Sequence, residues 1–129
     1  MTATPVIAIV DDDASVRDAM GRLVRSYDFA AELFGSGPEL LQFVALDRIA
    51  CVITDVVMPG MNGFVLYETL RSRGFDRPVI FMTGFAEEGS EQRAMAAGVA
   101  CFLRKPFQDT DIIRCIEHAL LARRGESPP

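Results

Sequence analysis

The chain has 129 residues, half of them hydrophobic and 24% charged, with a formal net charge of -5. That length supports one domain with a full hydrophobic core, and the acidic balance argues against general binding to nucleic acid or to an anionic membrane surface. No stretch approaches the roughly 20 apolar residues that a membrane span needs.

The first apolar run, Val6 to Val10, has no basic residue before it and stops at Asp11-Asp12-Asp13, so it reads as a strand and not as a signal peptide. Asp13 is placed to cap a helix whose apolar positions are Val16, Met20, Leu23 and Tyr27. A weak strand is expected over 30–34. Ser36-Gly37-Pro38-Glu39 then opens a second helix, with Leu40, Leu41, Phe43 and Val44 inward. Cys51-Val52-Ile53 is a strand ending in Thr54 and Asp55. A loop follows, Met58 to Gly63, and then a helix carrying Val65, Leu66 and Leu70 that ends near Gly74. Val79 to Met82 is the next strand, followed by Thr83-Gly84. A fourth helix is expected from Glu87 to Ala97, closed by Gly98 as C-cap. Ala100 to Leu103 begins the last strand, which runs through Arg104 to Lys105. The final helix covers 109–123, with Ile112, Ile113, Ile116, Ala119 and Leu120 inward. The three cysteines show no CxxC or CxxH spacing, which argues against a zinc site or a disulfide framework. Cys51 and Cys101 fall on strands and Cys115 on a helix, so all three are expected to be reduced, buried thiols.

Five repeats of strand and helix imply an α/β domain, with a parallel sheet covered by helices on both faces. The expected topology is a single doubly wound (βα)5 flavodoxin-like domain of strand order 2-1-3-4-5, which sets the first and third strands side by side. Asp11, Asp12 and Asp55 then meet beyond the carboxyl ends of those strands, with Thr83 and Lys105 along the same edge. Three carboxylates this close repel one another, and a hard divalent cation relieves them. Few carboxylates suit Mg²⁺ better than an all-protein calcium cage. A Lys ammonium can meet a phosphoryl oxygen, and Thr83 offers a hydroxyl. These are the parts needed to phosphorylate a carboxylate. Each residue also has a plainer reading. Asp13 is better explained as a cap, Thr83 alone could be a turn residue, and Lys105 alone a solvated strand end. His118, among charged neighbours, reads as a surface residue. The ordered set carries the argument, not any one member.

These segments, IVDDD at 9–13, TDVVMPGMNG at 54–63, FMTG at 81–84 and FLRKPF at 102–107, resemble the receiver domain of bacterial two-component response regulators. They are most similar to receivers of the FixJ type. The resemblance implies that Asp55 is the phosphoryl acceptor. It implies that Asp12, Asp55 and the Val57 carbonyl bind Mg²⁺ directly, while Asp11 holds a metal-bound water. Thr83 and Lys105 would contact the phosphoryl oxygens, Lys105-Pro106 would be cis, and Phe102 would be the aromatic that turns inward when Thr83 moves. A sensor histidine kinase is the implied donor, in a bacterial cytoplasm. A downstream protein or effector domain is the implied target. The implied signalling face comprises the fourth helix, fifth strand and fifth helix, with Glu91, Arg93, Arg104 and Glu117 exposed on it, and it could also form a homodimer. The chain would catalyse only its own phosphorylation and dephosphorylation. Residues 1–124 form the expected receiver and 125–129 a flexible tail. A stand-alone receiver is the favoured reading, although Arg123 to Pro129 equally resembles the stub of a linker. Three other readings compete. A small Mg²⁺-dependent phosphatase of the haloacid dehalogenase type needs a second Asp two residues after the first, and Val57 stands there. A flavodoxin-like cofactor carrier needs a small-residue phosphate loop where this chain has three Asp. The last is a protein-interaction module that is never phosphorylated.

Overall fold

Alternation along the strands decides the architecture. In the computed structural model, which describes residues 4–123, β1 (Val6–Val10) sends Ile7 and Ile9 to one face and Ala8 and Val10 to the other. β3 (Ile49–Asp55) does the same with Cys51 and Ile53 against Val52, and β4 (Val79–Thr83) with Ile80 and Met82 against Val79 and Phe81. Both faces of these three strands are therefore apolar, and both must be covered. Together with β2 (Ala30–Phe34) and β5 (Cys101–Arg104) they form one parallel sheet of order β2-β1-β3-β4-β5, as expected.

One face packs on α1 (Ala14–Ser26) and α5 (Asp109–Arg123) through Met20, Val24, Ile112, Ile113 and Ile116. The other packs on α2 (Gly37–Leu41), α3 (Gly63–Ser72) and α4 (Ser90–Ala97) through Leu40, Phe64, Leu66, Tyr67, Leu70 and Ala94. Each fully buried Ile or Leu contributes roughly 1.5–3 kcal/mol by leaving water. Among the described residues no helix is long and apolar enough to cross a membrane.

Three helix caps stand where the sequence puts them. The Asp13 carboxylate accepts from the Ser15 and Val16 N–H groups, Ser36 Oγ from Glu39 N–H, and Gly98 closes α4 at φ 106°. Other expectations are corrected. α2 stops at Leu41, so Phe43 only half-buries against the Phe34 ring and Val44 is 98% exposed. Tyr27 is the exposed C-cap residue of α1, and Val24 takes its inward place. In α3 the inward stripe is Phe64, Leu66, Tyr67 and Leu70, which turns Val65 out. β3 begins two residues before Cys51, at Ile49, and β5 ends at Arg104 with Lys105 outside it. α4 starts at Ser90 instead of Glu87, because Gly89 takes a left-handed conformation (φ 84°) just before it. The cysteines divide. Cys51 is buried and free, whereas Cys101 and Cys115 are half-buried and joined in a disulfide between β5 and α5. Two cysteines on separate elements can pair at any sequence spacing, so spacing motifs do not reveal the bond. The expected tail, 125–129, lies outside the described residues.

Candidate functional site

β1 and β3 are neighbours in register, Val10 opposite Thr54, so the residues that follow them emerge side by side. Asp11 directly follows β1, and its N–H pairs with the Phe34 carbonyl of β2. Asp55 is the last residue of β3. Its Oδ1 accepts from the Val57 N–H at 3.0 Å, and its Oδ2 accepts from Lys105 Nζ at 3.2 Å. The same ammonium lies 3.5 Å from Asp11 Oδ2. The Lys105 backbone N–H is tied to the Thr83 carbonyl at 2.8 Å, and the following peptide, Lys105-Pro106, is cis, as expected. Asp11 is anchored on its other oxygen by the Asp13 N–H at 2.9 Å, and its main-chain carbonyl accepts from Arg17 Nη1 at 2.7 Å.

Burial pushes the Asp11 carboxyl up from its ordinary value, and the charges of Asp55 and Asp12 add to this. The Asp13 N–H and the Lys105 charge pull the other way without cancelling it. Burial alone would lower the Lys105 ammonium, yet the charge and hydrogen bond of Asp55, followed by the charge of Asp11, raise it. The pocket is thus a negative site held together by one cation.

One oxygen each from Asp11, Asp12 and Asp55 lie within 4.8 Å of one another. Asp11 is 1% exposed, and its Oδ2 has no hydrogen-bond partner; the Lys105 contact at 3.5 Å is an ion pair without being a hydrogen bond. A buried carboxylate oxygen left in this state calls for another ligand. Three converging carboxylate oxygens, one of them unsatisfied, fit a hard divalent cation.

The structure gathers Asp11, Asp12, Asp55 and Lys105 into one cluster. Thr83 ends β4 and is 2% exposed, but its hydroxyl is engaged locally, donating to the Phe85 carbonyl and accepting from the Phe85 N–H, both at 3.1 Å. Phe102 is half-buried on β5 and packs against the core beneath α3 and α4. Val57 and Phe85 are 59% and 75% exposed.

Two contributors escaped the sequence reading. Asn62 caps α3, its Oδ1 accepting from the Val65 N–H at 3.0 Å. Gly63 N–H donates to the Val56 carbonyl at 2.8 Å, and a Cβ at Gly63 would sit 2.8 Å from the Asp55 carbonyl oxygen. The tight Met61-Asn62-Gly63 spacing was the signal available. Its Asn62-Gly63 pair starts α3 and presses it onto the end of β3.

The family model for the response regulator receiver domain matches residues 7–117. The chain belongs to this family. It is a receiver, the phosphoacceptor signalling domain of two-component response regulators, and receivers hold a divalent metal in such an acidic cluster. The receiver is 33% identical over 120 residues to the transcriptional regulatory protein FixJ of Bradyrhizobium diazoefficiens, a match that takes in 93% of this chain and 58% of FixJ. It is 37% identical over 121 residues to the C4-dicarboxylate transport transcriptional regulatory protein DctR of Rhodobacter capsulatus, covering 92% of this chain and 61% of DctR. The receiver therefore spans less than two thirds of the length of these curated relatives. Among solved structures it superposes on FixJ-N with a TM-score of 0.83 at 33% identity, covering 92% of this chain and 95% of that one. A response regulator receiver protein from Burkholderia phymatum is 41% identical, with a TM-score of 0.77 over 98% of this chain and 99% of that one. These likenesses favour the receiver over the phosphatase and interaction-module readings.

Proposed function

We propose that Asp55 accepts a phosphoryl group from the phosphohistidine of a sensor kinase, and that the resulting change at Thr83 and Phe102 is passed to a partner or effector domain. One observation carries this reading. The Asp55 carboxylate is aimed and neutralised by the Val57 N–H and Lys105, within 4.8 Å of two further carboxylates. Ionised, it is a nucleophile that needs no general base. Its oxygen forms the new O–P bond while the bond from phosphorus to the donor breaks, and the donor leaves with the electron pair. Positioning and charge neutralisation account for most of such a transfer, so the domain catalyses only its own phosphorylation and dephosphorylation.

Mg²⁺ is the ion we assign, with Asp12, Asp55 and the Val57 carbonyl as direct ligands and Asp11 acting through a water; when bound, it neutralises charge on the phosphoryl oxygens. Lys105 already sits on the acceptor carboxylate and moves little to meet a phosphoryl oxygen. Thr83 must break two hydrogen bonds to Phe85 to do the same. That move frees room behind it for the half-buried Phe102 ring, which reshapes α4 and β5. Arg104 and Glu91 pair across these two elements at 3.2 Å, an exposed contact a partner or a second receiver can exchange for its own. We assign residues 1–124 to the receiver, a bacterial cytoplasm as its location, and protein partners instead of nucleic acid as its targets.

Incubation with Mg²⁺ and acetyl phosphate, followed by intact-mass measurement, tests the reading. One added phosphoryl group that disappears in Asp55→Asn is the expected result. An unmodified wild type under conditions where Mg²⁺ binds would favour a plain interaction module.

A further inference from the structure

Cys101 on β5 and Cys115 on α5 are bonded, with their Cα atoms 6.2 Å apart and a sequence separation of 14. That Cα separation lies within the range a disulfide bridges without moving the backbone. Both residues are half-buried, and both line a surface cavity of about 330 Å³ together with Asp111, Arg114 and His118. Small oxidants and reductants can therefore reach the sulfurs. Cys51 is the opposite case. It is fully buried in β3, and burial pushes its thiol up to about 12, which leaves it inert. None of the cavity residues belongs to the acidic pocket.

We propose that Cys101 and Cys115 are a reversible dithiol–disulfide couple, oxidised by a hydroperoxide and reduced by a small dithiol, that ties α5 to the edge strand of the sheet. One thiolate attacks an oxygen of the peroxide. The O–O bond breaks, hydroxide leaves and takes up a proton, and the sulfur becomes a sulfenic acid. The second thiolate attacks that sulfur. The S–S bond forms, the S–O bond breaks, and the hydroxide leaves as a second water. Two thiols and one hydrogen peroxide thus give one disulfide and two waters. The bond fixes β5 at the residue directly before Phe102 and three before Arg104, so it restrains one edge of the face that includes α4, β5 and α5. The couple does not depend on phosphorylation at Asp55, so it stands or fails separately from the function proposed above.

The test counts thiols in the whole chain. Protein treated with hydrogen peroxide or dithiothreitol is unfolded, alkylated and weighed. The three cysteines should all be alkylated after dithiothreitol, and Cys51 alone after peroxide, with dithiothreitol restoring the other two. Cys51→Ser should keep the response, whereas Cys115→Ser should lose the reversible pair. Amide exchange over 109–123 should slow roughly tenfold or more on oxidation, as expected for a cross-link that closes a short loop. Three alkylated cysteines after peroxide, or an equal loss of thiols in Cys115→Ser through bonds between chains, would overturn the couple. Equal exchange in the two forms, with the bond shown to be made, would overturn the restraint on α5.

Discussion

A methyl group at Gly63 would land 2.8 Å from the Asp55 carbonyl oxygen and 3.0 Å from Val56 Cα, and both neighbours are backbone. Backbone cannot yield as a flexible side chain can. Gly63→Ala should therefore cost about 1–3 kcal/mol in urea unfolding, and it should slow phosphorylation because the acceptor's own main chain is displaced. Wild-type stability with wild-type phosphorylation would show that α3 does not set the Asp55 position. Gly84 offers a contrast, since its Cβ would meet only Lys105 Cδ, at 3.7 Å. At Asp55 itself, Asn keeps an acceptor for the Val57 N–H while removing one of three crowded negative charges. The melting temperature of Asp55→Asn without metal should hold or rise, and a clear fall would mean that the Lys105 bond outweighs the repulsion. Val57 and Phe85 shape the fate of the phosphorylated form. They stand two residues past the acceptor and two past Thr83, they are exposed, and neither side chain can hydrogen-bond a water. Hydrolysis needs a water aligned opposite Asp55. Val57→Asn or Phe85→Glu should speed dephosphorylation, up to about 10²-fold where one positioning contact is gained. Decay measured in Mg²⁺ after donor removal checks this, and equal rates in all three proteins would remove both positions from the account.

At the scale of elements, strands are more legible in the sequence than helices, and the reason is physical. β1 and β4 are short apolar runs between turn residues, and burial on both sides leaves no ambiguity about them. α5 was legible because Ile112, Ile113 and Ile116 keep helical spacing over a long element. α2 and α4 were not. α2 is a single short turn in which the Leu40-Leu41 pair resembles a longer stripe than it is. At the start of α4 the sequence offers Glu87 and Glu88 as good helix formers, yet the left-handed Gly89 and the Thr83–Phe85 hydrogen bonds keep that stretch as a loop. Such a loop is where a change at Thr83 would first be felt. Amide exchange over 85–97 should alter when a phosphoryl mimic binds, and identical exchange with the mimic bound would uncouple Thr83 from α4. α3 has its own local test. Asn62→Ala removes the cap on the Val65 N–H and should cost about 1 kcal/mol, read by urea unfolding.

For the whole molecule, the pocket is a source of strain that a ligand removes. Three carboxylates meet at one edge of a sheet buried on both faces, and the folded state alone brings them together. A cation bound only by the folded state raises stability by mass action, by about 2.7 kcal/mol at a hundredfold excess over its Kd. Melting temperature should climb with Mg²⁺, and Asp12→Ala should flatten that climb. An unchanged response in the variant would place the ion elsewhere. The carboxylates and Lys105 were legible from sequence because strand order alone brings the ends of β1, β3 and β5 to one edge. The Gly63 contact, the Asn62 cap and the Cys101–Cys115 bond were not. Each depends on how closely one element approaches another, and hydrophobic spacing carries no information about such distances.

Cys51 gives the molecule a built-in clock. Its thiol is sealed within β3 between the two helical layers, with burial holding it near 12 and no path for a reagent. A maleimide or disulfide reagent can label it only when the sheet itself opens. With the Cys101–Cys115 pair closed, it is the one free thiol. Its labelling rate, divided by the rate of an open-chain thiol, then equals the fraction of molecules opened at the sheet at any moment. The same native chain can thus be followed in a cell extract without an added tag. Any occupant of the acidic pocket would show itself as a slower clock.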